Sequence, residues 1–112
     1  MNIKNLFHDK RYVGRTVKSS KIYYVWEFVL EGKLMKVELF QSVVSGKKKL
    51  VLNGNVLQEE ESYSADFIYQ FSIKKHLVEI EQKGIEKFEM LIDKNLLKHY
   101  LTTRLEKLTC IF

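Results

Sequence analysis

Side chains able to carry acid–base, nucleophilic or metal chemistry are scarce in this sequence: three histidines, His8, His76 and His99, and a single cysteine, Cys110. No two of the histidines have the spacing of an HxH or HxxxH pair, and one thiol cannot complete a zinc set. Cys110 has no histidine beside it, and a thiol needs such a base to ionise at neutral pH. Ser45-Gly46-Lys47-Lys48-Lys49 has the outward look of a phosphate loop. A Walker-type loop, however, requires GxxxxGK[ST] between a strand and a helix. Here the first glycine is missing, Lys48 follows Lys47, and an apolar strand comes next. The string therefore reads as a β-turn with an exposed basic tip. Glu59, Glu60 and Glu61 supply carboxylates without a fixed pairing, and read as a solvated loop facing that tip. With no nucleophile, base or metal constellation, the chain is expected to be non-catalytic and to need neither metal nor cofactor. An enzyme would require His76 beside a carboxylate in a buried, charged cleft.

The net charge of +5 is concentrated. Residues 1–21 hold Lys4, Lys10, Arg11, Arg15, Lys18 and Lys21 against one acid, Asp9, and the remaining residues balance. This segment lacks apolar periodicity and contains Gly14 and Ser19-Ser20, so it is expected to be an irregular basic arm. Leu6, Phe7, Tyr12, Val13 and Val17 could anchor it on a partner. The candidate contact residues are Lys10, Arg11, Tyr12, Arg15 and Lys18 of the arm, with Lys47, Lys48 and Lys49 of the basic tip. Such a surface attracts acidic ones, and protein is the favoured partner. Nucleic acid is disfavoured, because residues 22–112 are electrically neutral and their aromatics are needed for the core. No small-molecule substrate is expected.

Apolar residues recur with period two from Ile22 onward. Tyr24, Trp26, Phe28 and Leu30 alternate with Val25, Glu27, Val29 and Glu31, so one strand face carries three aromatics and a leucine. After Gly32, Met35, Val37 and Leu39 form the second arm of a hairpin. A third strand over 49–52 ends at Asn53-Gly54, a strong hairpin signal, and Val56-Leu57 begin its return. Phe67, Tyr69, Phe71 and Ile73, then His76, Val78 and Ile80, then Phe88, Met90 and Ile92 repeat the alternation, with a turn at Lys83-Gly84. The expected fold is mainly all-β: a compact antiparallel β-sandwich of six to eight short strands over residues 22–93. Leu97, Leu101, Leu105 and Leu108 then recur at helical spacing, so an amphipathic helix is expected over about 95–108, capped by Asp93 or Asn95. Residues 94–112 form that helix and a tail, placed over an open end of the sandwich.

A chain of 112 residues fits a single domain, and 46% hydrophobic residues argue against disorder. One cysteine excludes an intrachain disulfide. The longest apolar runs fall far short of the roughly 20 residues a transmembrane helix needs. No transmembrane segment is therefore expected, and a cytoplasmic setting is, with a ciliary or cytoskeletal one as its variant.

The succession Val25-Trp26-Glu27-Phe28-Val29-Leu30-Glu31-Gly32, then Val37-Glu38-Leu39-Phe40, Val44-Ser45-Gly46-Lys47-Lys48 and Leu50-Val51-Leu52-Asn53-Gly54 resembles one domain of the Fas apoptotic inhibitory molecule family. Residues 87–100 look similar too, and the resemblance spans about residues 24–100. It implies a compact antiparallel β-sandwich without enzymatic activity. The family protein joins two such sandwiches, regulates death-receptor signalling in the cytosol and is linked to protection against protein aggregation. The function expected here is thus a non-catalytic protein–protein interaction module. The first alternative is a structural subunit of a large axonemal, microtubule-associated or organellar assembly. The second is a non-specific nucleic-acid binder acting through the basic arm.

Overall fold

A computed structural model of the chain describes residues 3–64 and 66–100. The alternation of Ile22, Tyr24, Trp26, Phe28 and Leu30 produces the strand on which the first sheet is organised. That strand, β2 (Lys21–Leu30), pairs antiparallel with β1 (Ile3–Tyr12) on one side and with β3 (Lys33–Ser42) on the other. β4 (Lys47–Leu52) and β5 (Asn55–Glu61) continue the meander, giving a five-stranded sheet in the order β1-β2-β3-β4-β5. These strands belong to one unit of the chain, Met1–Tyr63. The other unit, Ser64–Phe112, holds β6 (Ile68–Ile73), β7 (His76–Gly84), β8 (Lys87–Ile92) and the two-residue β9 (Asn95–Leu96), paired antiparallel in that order. The chain is thus mostly antiparallel β, in two sheets with nine strands among the described residues, one more than the upper end of the sequence-based count.

Tight two-residue turns set the phase of the ladders. Glu31 and Gly32 both take positive φ (51° and 79°) between the paired Leu30 and Lys33. Asn53 and Gly54 do the same (47° and 86°) between Leu52 and Asn55. Turns of this kind twist with the strands they join, and Asn-Gly tolerates the required conformation best. Asn53 is held further: its Oδ1 accepts the Lys36 N–H at 2.8 Å, and its own N–H donates to the Lys36 carbonyl at 2.8 Å.

Directly opposed residues share a face, so register fixes the core. Tyr24 opposes Leu39, Trp26 opposes Val37 and Phe28 opposes Met35. All six are buried, together with Ile22, Leu30 and Leu50, and the Tyr24 and Trp26 rings stack at a centroid distance of 6.1 Å. In the second sheet Val78 opposes Ile92, Ile80 opposes Met90 and Gln82 opposes Phe88, again all buried. Each sheet therefore has one mainly apolar face; on the other face of the first sheet Val25 and Val51 are also buried, on either side of Glu38.

Three expectations are corrected. Residues 3–12 are not an irregular arm but a full edge strand. An edge strand needs backbone partners on one side only, so its side chains can be mostly exposed and charged; here only Ile3 and Asn5 are buried, and a register shift between Asn5 and Phe7 breaks the alternation. The boundary after residue 21 therefore falls just inside β2, the strand with which β1 pairs. Secondly, Lys47, Lys48 and Lys49 do not form the tip of a turn. The turn ends at Gly46 (φ 77°), whose carbonyl accepts the Ser62 N–H at 3.0 Å, and β4 starts at Lys47 with Glu59–Glu61 lying opposite in β5 rather than in a loop. Finally, no helix starts at 95. Asp93 and Lys94 take positive φ (52° and 69°) and reverse the chain, so that Asn95 and Leu96 pair with Ile92 and Leu91 as β9 before a short 3₁₀ turn, Leu97–His99. The rest of the expected helix, with Leu101, Leu105 and Leu108, lies outside the described residues.

Trp26 is 7% exposed on the apolar face of the first sheet. Replacing it by alanine is expected to cost about 3–5 kcal/mol, as large-to-small core changes do. Denaturant unfolding of the full chain measures this, and a shift well under 1 kcal/mol would place the indole at the surface.

Candidate protein-interaction face

The face of the first sheet opposite its apolar core is built from the other set of alternating positions. One cross-strand row runs through all five strands: Arg11 opposes Tyr23, Tyr23 opposes Phe40, Phe40 opposes Lys49 and Lys49 opposes Glu59. The row begins in a cation, passes through two aromatic rings and ends in an anion. The Tyr23 and Phe40 rings meet at 5.1 Å, and the Lys49 ammonium sits 5.1 Å from the Phe40 centroid, within cation–π range. Beyond this row, Lys21 opposes Ser42 and Lys47 opposes Glu61. Val13, Lys21, Phe40, Lys47, Lys49, Glu59 and Glu61, with Ile22, Gln41, Lys48 and Glu60 of the opposite face, border a surface recess of about 600 Å³ at this end of the sheet.

Lys47, Lys48 and Lys49 oppose Glu61, Glu60 and Glu59 in that order. Opposite charges facing each other across a ladder stabilise it, and a one-residue slip would turn every side chain to the wrong face. This charge match helps to fix β4 against β5. It also makes the recess zwitterionic rather than simply basic.

The sequence-predicted contact residues separate in the structure. Lys47, Lys48 and Lys49 all border the recess, but Lys48 does so from the core side of β4: it is 3% exposed and its Nζ donates to the Ser62 carbonyl at 2.6 Å. Arg11 stands at the head of the cross-strand row, and its Nε donates to Asp9 Oδ2 at 2.8 Å. That bond holds the Asp9 carboxyl below the usual range. Lys10 lies on the other face of β1, its Nζ 5.3 Å from the Tyr12 ring and 5.8 Å from the Tyr24 ring. Tyr12 is 47% exposed. Arg15 and Lys18 are exposed in the connection between β1 and β2 and do not border the recess. Sequence reasoning missed Tyr23, Glu38 and Phe40. Their signal was parity alone: they occupy positions of β2 and β3 that alternate with the core residues.

Tyr23 is the most perturbed group on this face. Its hydroxyl donates to Glu38 Oε2 at 2.5 Å. Burial first, then that bond and the charge of Glu38, push the phenol up to about 12.

In the second unit His76 does stand beside a carboxylate, with Nδ1 2.6 Å from Asp93 Oδ2. The other Asp93 oxygen accepts the Leu77 N–H at 3.0 Å, and the Asp93 N–H donates to the Leu77 carbonyl at 2.8 Å. The His76 bond, followed by the Leu77 bond, holds Asp93 below its ordinary value. The Asp93 side chain is 41% exposed, so this pair is a clamp between the β8–β9 turn and the start of β7 rather than a buried cleft. Glu79 is a buried carboxylate that accepts from Gln70 Nε2 at 2.8 Å and pairs with Lys94 Nζ at 3.1 Å. Burial alone would raise its pKa; the Gln70 bond and Lys94 outweigh it and leave the group below the usual range. Among the described residues no group of three or more His, Cys, Asp and Glu side chains could hold a metal ion, and no helix is long and apolar enough to cross a membrane.

The Tyr23 phenol is expected to titrate near 12 by ultraviolet absorbance, and Glu38→Gln should move it toward the ordinary 10. A pKa raised by folding stabilises the fold below the unfolded value and ceases to do so as pH rises through the folded one. The Tyr23 contribution should therefore fade between pH 10 and about 12. A phenol that titrates at 10 in the parent would show that the Glu38 contact does not persist.

No family model matches the chain, and neither does any curated protein or solved structure in comparisons with known proteins.

Proposed function

We propose that the chain is a non-catalytic protein–protein interaction module whose contact surface is the charged face of the first sheet. The observation that carries this reading is the conjunction of exposed apolar and aromatic groups with cations around one recess. Phe40 is 37% and Val13 48% exposed, and Lys21, Lys47 and Lys49 surround them. Apolar groups rimmed by polar ones are characteristic of interaction sites, and an aromatic side chain supplies much contact area at low entropic cost. Residues 1–63 carry eleven Lys and Arg against seven Asp and Glu, which favours a partner with an acidic surface. The resemblance of residues 24–100 to the Fas apoptotic inhibitory molecule family points the same way, toward binding without turnover. Nucleic acid fits less well. Glu59 and Glu61 lie at the recess beside the lysines, and a polyanion would have to approach them.

Phe40→Ala combined with Lys21→Glu is expected to weaken capture of an acidic partner from native extract by about tenfold, the effect of losing roughly 1.4 kcal/mol at an interface anchor. The far-UV circular dichroism should stay unchanged, and capture by the parent chain should weaken as salt rises. Capture equal in parent and variant, or insensitive to salt, would contradict the assignment of this face.

A further inference from the structure

The five-stranded sheet ends in two edges of opposite sign. β1 carries Lys4, Lys10 and Arg11 against the single acid Asp9, and β5 carries Glu59, Glu60 and Glu61 with no base. Among the described residues neither edge has a further strand beside it in the sheet. β1 is ten residues long, and no proline occurs in the chain to block pairing along either edge. Leu6, Phe7 and Tyr12 on β1 and Val56 on β5 are 43–54% exposed. A long, unblocked edge strand is a template for another strand.

We propose that the first sheet continues from copy to copy, with β1 of one molecule pairing with β5 of the next. The occupant of each edge is thus a second copy of this chain, and the surface used is the pair of edges; the acidic edge shares Glu59 and Glu61 with the recess, whereas β1 contributes none of its lining. The register argues for it. Four successive antiparallel steps leave β1 and β5 running in the same direction, so a neighbour that preserves the faces of the sheet joins as a parallel pair. The row from Arg11 through Tyr23, Phe40 and Lys49 to Glu59 puts the first and last residues at one level and on one face. Continuing the sheet sets Arg11 of the next copy beside Glu59. A shift of two residues, which keeps the faces, sets Arg11 beside Glu61 and Lys10 beside Glu60. Asp9 occupies only the Nε of Arg11, leaving its terminal amino groups to donate. The break in the β1–β2 register lies between Asn5 and Phe7, so the regular stretch from Phe7 to Tyr12 is the part that aligns with β5.

Charge selects this arrangement over closed ones. A two-fold pairing of β1 with β1 joins two net-positive strands, and one of β5 with β5 joins two net-negative strands. Head-to-tail pairing alone joins opposite signs. Such a heterologous contact does not close on itself unless the twist between copies returns it, so the product is an open chain of molecules or a ring.

Sedimentation velocity of the full-length chain at low and high salt tests the proposal. The parent should form species larger than a dimer that grow with concentration at low salt and shrink as salt rises. Lys10→Glu with Arg11→Glu makes both edges acidic and should give a monomer. Glu59→Gln with Glu61→Gln leaves the β4–β5 ladder without like charges and should weaken association by about tenfold or more, the effect expected when at least one charge-assisted pair is lost. Mixed in equal amounts, the two variants retain one acidic β5 and one basic β1, and should form a two-chain species that does not extend. Circular dichroism and thermal melting should show each variant folded. A parent that stays monomeric at every concentration overturns the proposal. So does a closed dimer that persists in both variants, or a mixture that stays monomeric. Loss of recess-dependent partner capture with self-association intact would overturn only the function proposed for the face.

Discussion

Lys21–Leu30 has a ten-residue strand paired to each side, and the phase of those two ladders is the constraint on which the first sheet rests. Because side chains alternate across a strand, the register assigns the residues of β1 to β5 to a face, apart from the shifts between Asn5 and Phe7 and between Leu50 and Val51. It buries Tyr24, Trp26 and Phe28 together on one side and brings Arg11, Tyr23, Phe40, Lys49 and Glu59 into line on the other. The turns at Glu31-Gly32 and Asn53-Gly54 guard this phase from the backbone, and the facing of Lys47–Lys49 by Glu61–Glu59 guards it from the side chains.

The strands flanked by tight turns and carrying one apolar face were legible in the sequence. β2, β3 and β6 to β8 announce themselves by alternation, and Asn53-Gly54 marks its hairpin without help. β1 was not legible, because an edge strand is held through its backbone and its side chains need not alternate; Lys4, Lys10 and Arg11 looked like tail. The leucines at 97, 101, 105 and 108 have helical spacing, but the left-handed backbone at Asp93 and Lys94 commits the following residues to pairing first, and neither residue type declares that conformation. The cations of the candidate site could be found by charge. Lys48 could not be told from Lys47 and Lys49 until alternation was known to run through all three, which turns the middle one inward. Tyr23 and Phe40 required the register itself, since they lie seventeen positions apart and meet only across β2 and β3.

The function proposed for the face and the assembly proposed for the edges use the same row of side chains in different ways. In the first, its aromatic middle and the lysines around it receive a partner. In the second, its charged ends receive the next copy. The second depends on β1 belonging to the sheet: without it the row would start at Tyr23 and the basic edge would not exist. The clamps of the second unit, Asp93 on His76 and Leu77 and Glu79 on Gln70 and Lys94, tie its turns and strands together.

Membership of β1 in the sheet is read most directly by amide hydrogen exchange, resolved residue by residue by NMR. The amides of residues 3–12 that donate to β2 should exchange through the same global opening as those joining β2 to β3, and so at comparable rates. Exchange throughout residues 3–12 at the rate of an unstructured peptide, with β2 and β3 still protected, would contradict the account, because the cationic head of the row would then belong to a free tail.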